Sequence, residues 1–214
     1  MTFSIVARDP ETGALGVATA TAGPAVGALV PHGRSGIGAI ATQAMTNPYL
    51  AIDGLEHLKT LGAEAALARA LAEDANRDMR QMLVVDRTGA VAMWTGPACL
   101  NWAGHKSAAG VAVGGNIIAG EQVLDAMLVA YAGEDSLPKG LLAALQAGFE
   151  AGGDSRGVGS AALKVYGKEA FADVDLRVDW SEQPIRDLAS LLERTLSGDY
   201  AAFFAEVTRR GGAR

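Results

Sequence analysis

Cysteine occurs once, at Cys99, and histidine three times, at His32, His57 and His105. A single cysteine excludes an intramolecular disulfide and a zinc site built on several thiolates. The three histidines lack the spacing of a metal-ligand set, and no metal or other cofactor is expected. Charge is also locally scarce: between Thr12 and Ile52 only Arg34 is formally charged. Long apolar runs are missing too, because Gly16, Gly23, Pro24, Gly27 and Pro48 interrupt the charge-free stretches. No segment reads as a transmembrane helix. The opening residues meet Arg8 and Asp9 too early for a secretory signal, so a cytoplasmic protein is expected. Acidic residues outnumber basic ones, 24 to 18, for a net charge of −6, and no nucleic-acid partner is expected. Two motifs are absent: the Gly-Lys-Ser/Thr ending of a P-loop and the third glycine after Gly36-Ile37-Gly38.

What is present is glycine, 27 of 214 residues, in a chain that is half hydrophobic. That composition belongs to a folded globular protein, and without repeats or linkers it reads as one domain over 1–214. The tail at 209–214 is expected to fray.

The order of elements is strands, helices, strands, helices, strands, helices. Phe3–Ala7 and Ala14–Ala20 flank the turn sequence Asp9-Pro10-Glu11-Thr12-Gly13 and form a hairpin. A second strand pair is expected over Ala25–Val30 and Gly36–Ala41. Leu55, Leu58, Leu61, Leu67 and Leu71 mark helical faces. A hairpin follows over Met82–Val85 and Ala90–Trp94, then a strand at Val111–Val113. Val123, Met127 and Tyr131, and then Leu137, Leu141, Leu145 and Phe149, repeat every four residues as helices do. Strands at Ala161–Tyr166 and Asp175–Asp179 precede two last helices. This is not the strict alternation of a parallel doubly wound sheet; it suits antiparallel sheets with helices outside.

Four places can carry chemistry. Thr2 heads an apolar strand. Removal of Met1 leaves it with a hydroxyl and a free α-amine of pKa about 7.7–8.0, a nucleophile and a base on one residue. Arg34, alone in its charge-free segment, needs an anionic partner, a polar pocket or a route to water from a strand end or turn. Gly114-Gly115-Asn116 offers backbone amides and a side-chain amide, the donors of an oxyanion hole, or an ordinary turn. Gly152-Gly153-Asp154-Ser155-Arg156-Gly157 is either a substrate loop or a helix cap. Thr42-Gln43 and Asn47 are uncharged polar residues that either line a pocket or end a strand.

Met1 to Gly13, Gly36 to Gln43, Trp102 to His105, Gly115-Asn116, Gly152 to Gly157 and Ser160-Ala161-Ala162-Leu163 together resemble a widespread bacterial family of unknown function. That family is assigned to the N-terminal nucleophile hydrolase superfamily. The resemblance implies an α+β fold of four layers, αββα, with two antiparallel sheets between helices. It implies Thr2 as nucleophile after loss of Met1, with no propeptide to cleave. Arg34 falls about where relatives carry a lysine near the nucleophile, and its expected role is electrostatic. Asn116 with Gly115 is the expected oxyanion site. Gln43, Asp154, Arg156 and Ser160 are expected to bind substrate; the family often has glutamine where this chain has Gly159. The expected reaction is hydrolysis of a small amide, with an anionic group of the substrate held by Arg34 or Arg156. The alternatives are a non-catalytic metabolite-binding relative and a ring-opening hydrolase of cyclic amides. A homodimer is the expected assembly.

Overall fold

The computed structural model describes residues 2–154 and 156–210. A sheet of six antiparallel strands lies against one of four. The larger sheet has the order β10 (Val174–Val178), β9 (Ser160–Tyr166), β2 (Leu15–Thr21), β1 (Thr2–Arg8), β8 (Val111–Asn116), β7 (Ala103–Ala108). The smaller runs β3 (Pro31–Arg34), β4 (Gly38–Ala44), β5 (Arg80–Asp86), β6 (Val91–Thr95). Helices α1 (Pro48–His57) and α2 (Ala63–Ala72) cover the small sheet. Helices α3 (Glu121–Ala132), α4 (Leu137–Glu150) and α5 (Pro184–Leu196) cover the large one, and α6 (Gly198–Ala205) packs on α5. The layers are therefore αββα.

Strand pleating explains the sequence of β1. Successive side chains point to opposite faces. Phe3, Ile5 and Ala7 face the helices, in a core with Val113, Met127, Leu141 and Leu145. Val6 faces the other sheet, packed with Val17, Ala39, Ala41, Leu83, Val85 and Ala112. Both faces are buried, so from Ile5 to Ala7 the strand is an apolar run without polar alternation. A third core, around Ile40, Met82 and Leu67, lies under α1 and α2.

One expectation needs correction. Ala25–Val30 is no strand: Ala25 has φ of 56° and a single 3-10 turn covers Val26–Ala28. The first strand of that pair starts only at Pro31. Strand β7 had no hydrophobic signature, because Ala-Gly-His-Lys-Ser-Ala is an edge strand largely open to water. In the tail, the Arg209 guanidinium sits 5.7 Å from the Phe171 ring centroid and 5.5 Å from that of Phe204. Residues 211–214 lie outside the described residues. No helix among the described residues is long and apolar enough to cross a membrane.

Candidate functional site

The layer between the sheets changes character along its length. Away from Thr2 it is aliphatic. At the end where β1 begins, the inward positions hold Thr2, Ser4, Thr19, Thr21, Gln43, Gln81 and Asn116, all buried. Register brings them together: Thr2 lies opposite Thr21 on β2 and opposite Asn116 on β8, while Gln43 on β4 lies opposite Gln81 on β5.

Hydrogen bonds join these side chains into one network. The Thr2 hydroxyl donates to Thr21 Oγ1 at 3.2 Å. The Thr2 carbonyl accepts from Gln43 Nε2 at 3.3 Å and from Asn116 Nδ2 at 3.5 Å. Both amides also donate to Gln81 Oε1, at 2.7 and 3.0 Å. Ser4 donates to Gln43 Oε1 at 2.6 Å and lies 2.8 Å from Thr19 Oγ1. Gln81 Nε2 meets Thr95 Oγ1 at 2.8 Å and the carbonyls of Gly104 and Gly115 at 2.9 Å. The network ends at His105 Nδ1, 2.8 Å from Thr95 Oγ1. Partial burial of the imidazole lowers its pKa below the ordinary value. Every other member is uncharged, so the charge-poor segment of the sequence places neutral donors and acceptors around Thr2.

The backbone beside this network is strained. Ala44, following Gln43, has φ of 71°, and Ile117, following Asn116, has φ of 56°. A β-branched residue in the left-handed region is an outlier that costs about 1–3 kcal/mol. At Ile117 it turns the chain so that Ile118 bridges to Asp154 and covers Gly115.

Arg34 is not brought to Thr2. It pairs with Gly38 at the start of β4, whereas Gln43 is near the other end, five residues or about 16 Å away. Its partner is Glu56 on α1, at 2.7 Å, with both side chains nearly half exposed. The lone charge of the sequence is thus a strand-end arginine that reaches solvent. Arg34→Ala is expected to leave both the melting temperature and any Thr2-dependent activity unchanged, as a thermal melt beside an activity assay will show.

Asn116 stands next to Thr2, but its amide points at Gln81 and the Thr2 carbonyl. Its two amide bonds are to these protein oxygens. Gly115 and Gly114 do not expose backbone either, since β8 is flanked by β1 and β7. They are glycine because a Cβ would fall 2.7 Å from Ile118 Cδ1 and 2.9 Å from Leu83 Cδ2. Ser160 is spent on the chain: it donates to the Gly23 carbonyl at 2.6 Å and accepts from Val26 N at 3.1 Å. Asp154 is buried at this end of the sheet and accepts from Ala22 N at 3.0 Å and Arg156 N at 2.9 Å. Arg156 folds back on it, with Nη2 3.4 Å from Oδ2, so this pair ties loops together. Ser155 lies outside the described residues. Gly152 and Gly153, at φ of 113° and 28°, end α4. Of the expected site residues, Thr2, Gln43 and Asn116 meet directly.

Residues that the sequence did not single out are Gln81, Thr95, Ser4, Thr19 and Thr21. A signal for some of them was available. Ser4 shares a pleat face with Val6, and Gln81 shares one with Leu83 and Val85, so each puts a polar group into an otherwise apolar inward row.

The loop after Gln43 has its own clamp. Arg80 Nε lies 2.8 Å from Asp74 Oδ2, and Asn47 Nδ2 donates to the same oxygen at 3.0 Å. Arg80 Nη1 also donates to the Met45 carbonyl. The Arg80 hydrogen bond holds the buried Asp74 carboxyl down to about 2, from 3.8. A carboxylate with a depressed pKa stabilises the fold above its unfolded value and loses that contribution as pH falls through the folded one. Acid titration is therefore expected to destabilise the wild type between pH 3.8 and about 2, with that phase missing in Asp74→Asn.

A cavity of about 490 Å3 lies between α4 and α5, lined by Gln146, Phe149, Val158 and Ile185. These helices pack on the face of the large sheet that carries Phe3, not Thr2. Among the described residues no group of three or more His, Cys, Asp or Glu is placed to hold a metal ion.

The solved structure of protein SPO2555 from Silicibacter pomeroyi is 34% identical, with a TM-score of 0.91, over 97% of this chain and 92% of that one. Anbu (ancestral beta-subunit) from Yersinia bercovieri superimposes with a TM-score of 0.48 at 12% identity, over 99% of each chain. A search of curated proteins found no match. The family model of unknown function DUF1028 matches residues 2–188, and SPO2555 is described as carrying the same family. The chain belongs to the DUF1028 family.

Proposed function

We propose that the protein is an amidohydrolase of small substrates whose nucleophile is the Thr2 hydroxyl, freed for work by removal of Met1. The observation that carries this reading is the fixation of Thr2. Its carbonyl takes hydrogen bonds from two buried amides, Gln43 and Asn116, and its hydroxyl is directed at Thr21. Such immobilisation holds a reacting group in one geometry at low entropic cost. The αββα layering and the resemblance of the sequence to N-terminal nucleophile hydrolases support it.

In the proposed reaction Thr2 Oγ1 attacks the substrate carbonyl. The α-amine takes the hydroxyl proton and delivers it to the leaving nitrogen. An ester to Thr2 remains, and water hydrolyses it to release a carboxylic acid and restore the hydroxyl. Gln43, Asn116 and Gln81 act as positioning residues. Arg34 has no part, because it lies at the other end of the sandwich. The test is release of aniline from small acyl anilides by the wild type and by Thr2→Ala.

A further inference from the structure

The connections around the Thr2 end of the sandwich share one property. Residues 22–30, 45–47, 96–102 and 117–120 contain no charged side chain. Register places all four at this end. Residues 22–30 continue from Thr21 and return where Val30 accepts from Thr42 N. Residues 45–47 follow β4 past Gln43. Residues 96–102 lead into Ala103, which pairs with Asn116, and 117–120 leave Asn116 itself. A fifth segment brings Trp180 against Gly159, whose N–H donates to the Thr21 carbonyl.

These connections present large apolar side chains to water. Leu29 is 51% exposed, Met45 58%, Leu100 70%, Trp102 36% and Trp180 67%. Scattered exposed apolar residues are ordinary, but a set gathered round one polar site is a recognition feature. The charges nearest this ring are neutralised in pairs: Asp74 with Arg80, Asp154 with Arg156, and Arg177 with Asp179. Arg77 and Asp78, adjacent and opposite in sign, flank the 96–102 segment. Glu182 lines the α4–α5 cavity.

We infer that the site at Thr2 takes an uncharged substrate with an apolar acyl group, and discriminates against acyl groups carrying either sign of charge. This rests on the reading of Thr2 as the reacting residue and reverses the expectation of an anionic substrate. The physical reason is desolvation. A charged acyl chain surrendering its water to Leu29, Met45, Leu100, Trp102 and Trp180 meets the ion pairs Asp74–Arg80, Asp154–Arg156 and Arg177–Asp179 already formed, whereas an alkyl or aryl chain gains from the burial.

The experiment uses three anilides of one length: N-phenylhexanamide, its ω-carboxylate analogue and its ω-ammonium analogue. Binding is measured on the full-length Thr2→Ala protein by methyl NMR, with Met45, Leu29 and Leu100 as reporters. The neutral anilide is expected to shift these methyls with affinity at least about tenfold above either charged one. Leu100→Lys and Leu29→Lys, both at exposed positions, are expected to weaken the neutral anilide and raise the affinity of the carboxylate. Equal binding of a charged anilide, no binding of the neutral one, or a dimer through this ring that Leu100→Lys dissociates overturns the inference. Turnover is scored separately on the wild type. Discrimination in binding without release of aniline rejects Thr2 as nucleophile and leaves the acyl preference standing. Release of aniline from all three at equal rates does the reverse.

Discussion

Thr2→Ala is expected to lose about 10^4-fold or more in turnover while remaining folded. Thr2 contributes two groups, a hydroxyl and an α-amine. Alanine is also small enough for Met1 to be removed, so the α-amine persists and only the hydroxyl is lost. Among the described residues the hydroxyl makes one hydrogen bond, to Thr21 at 3.2 Å. Its removal costs about 1 kcal/mol of stability, too little to unfold the chain. The Thr2 carbonyl keeps its bonds to Gln43 and Asn116, so the strand start stays in place. Thr2→Ser restores the nucleophile and is expected to recover a measurable part of the rate. Turnover by a folded Thr2→Ala protein within a few-fold of wild type would place the chemistry on another residue.

Gln81→Ala is expected to be the most damaging single change to stability, about 3–4 kcal/mol, because it strands several buried partners at once. Gln81 is fully buried, and it receives both Gln43 and Asn116 on one oxygen. Its nitrogen reaches Thr95 and the carbonyls of Gly104 and Gly115, linking the two sheets. Alanine leaves these groups unpaired in a space too enclosed for water to serve them all. A denaturant titration is the measure: the midpoint falls while the slope stays as in wild type. A shift no larger than that of Arg34→Ala would show that the network does not hold the sheets together.

Much of the architecture was legible because strands and helices here carry distinct apolar periods. β1 and β2 read as strands from their turn and β-branched content, and α4 from its spacing of four. β7 was not, since an edge strand with one covered side needs no apolar alternation. The site divides in the same way. Thr2, Gln43 and Asn116 stood out by residue type and position, and they meet. Arg34 stood out as a lone charge, yet antiparallel pairing with Gly38 carries it to the opposite end. Asp154 and Ser160 were conspicuous for chemistry and are occupied in holding loops. Thr95 was silent and Gln81 signalled only a polar break in an apolar row, because a polar residue inside a strand reveals its partners only when the sheets are stacked. The glycines at 114 and 115, suited by type to contacting a ligand, answer instead to Leu83 and Ile118.

The central claim is that Thr2 works as an N-terminal residue, and intact-mass spectrometry of the purified protein tests it most directly. The expected result is a chain lighter than the encoded one by one methionine, with Thr2 as its first residue by peptide mapping and an α-amine that accepts an amine-specific label. A protein that retains Met1 in full carries no free amine on Thr2 and contradicts the proposed mechanism.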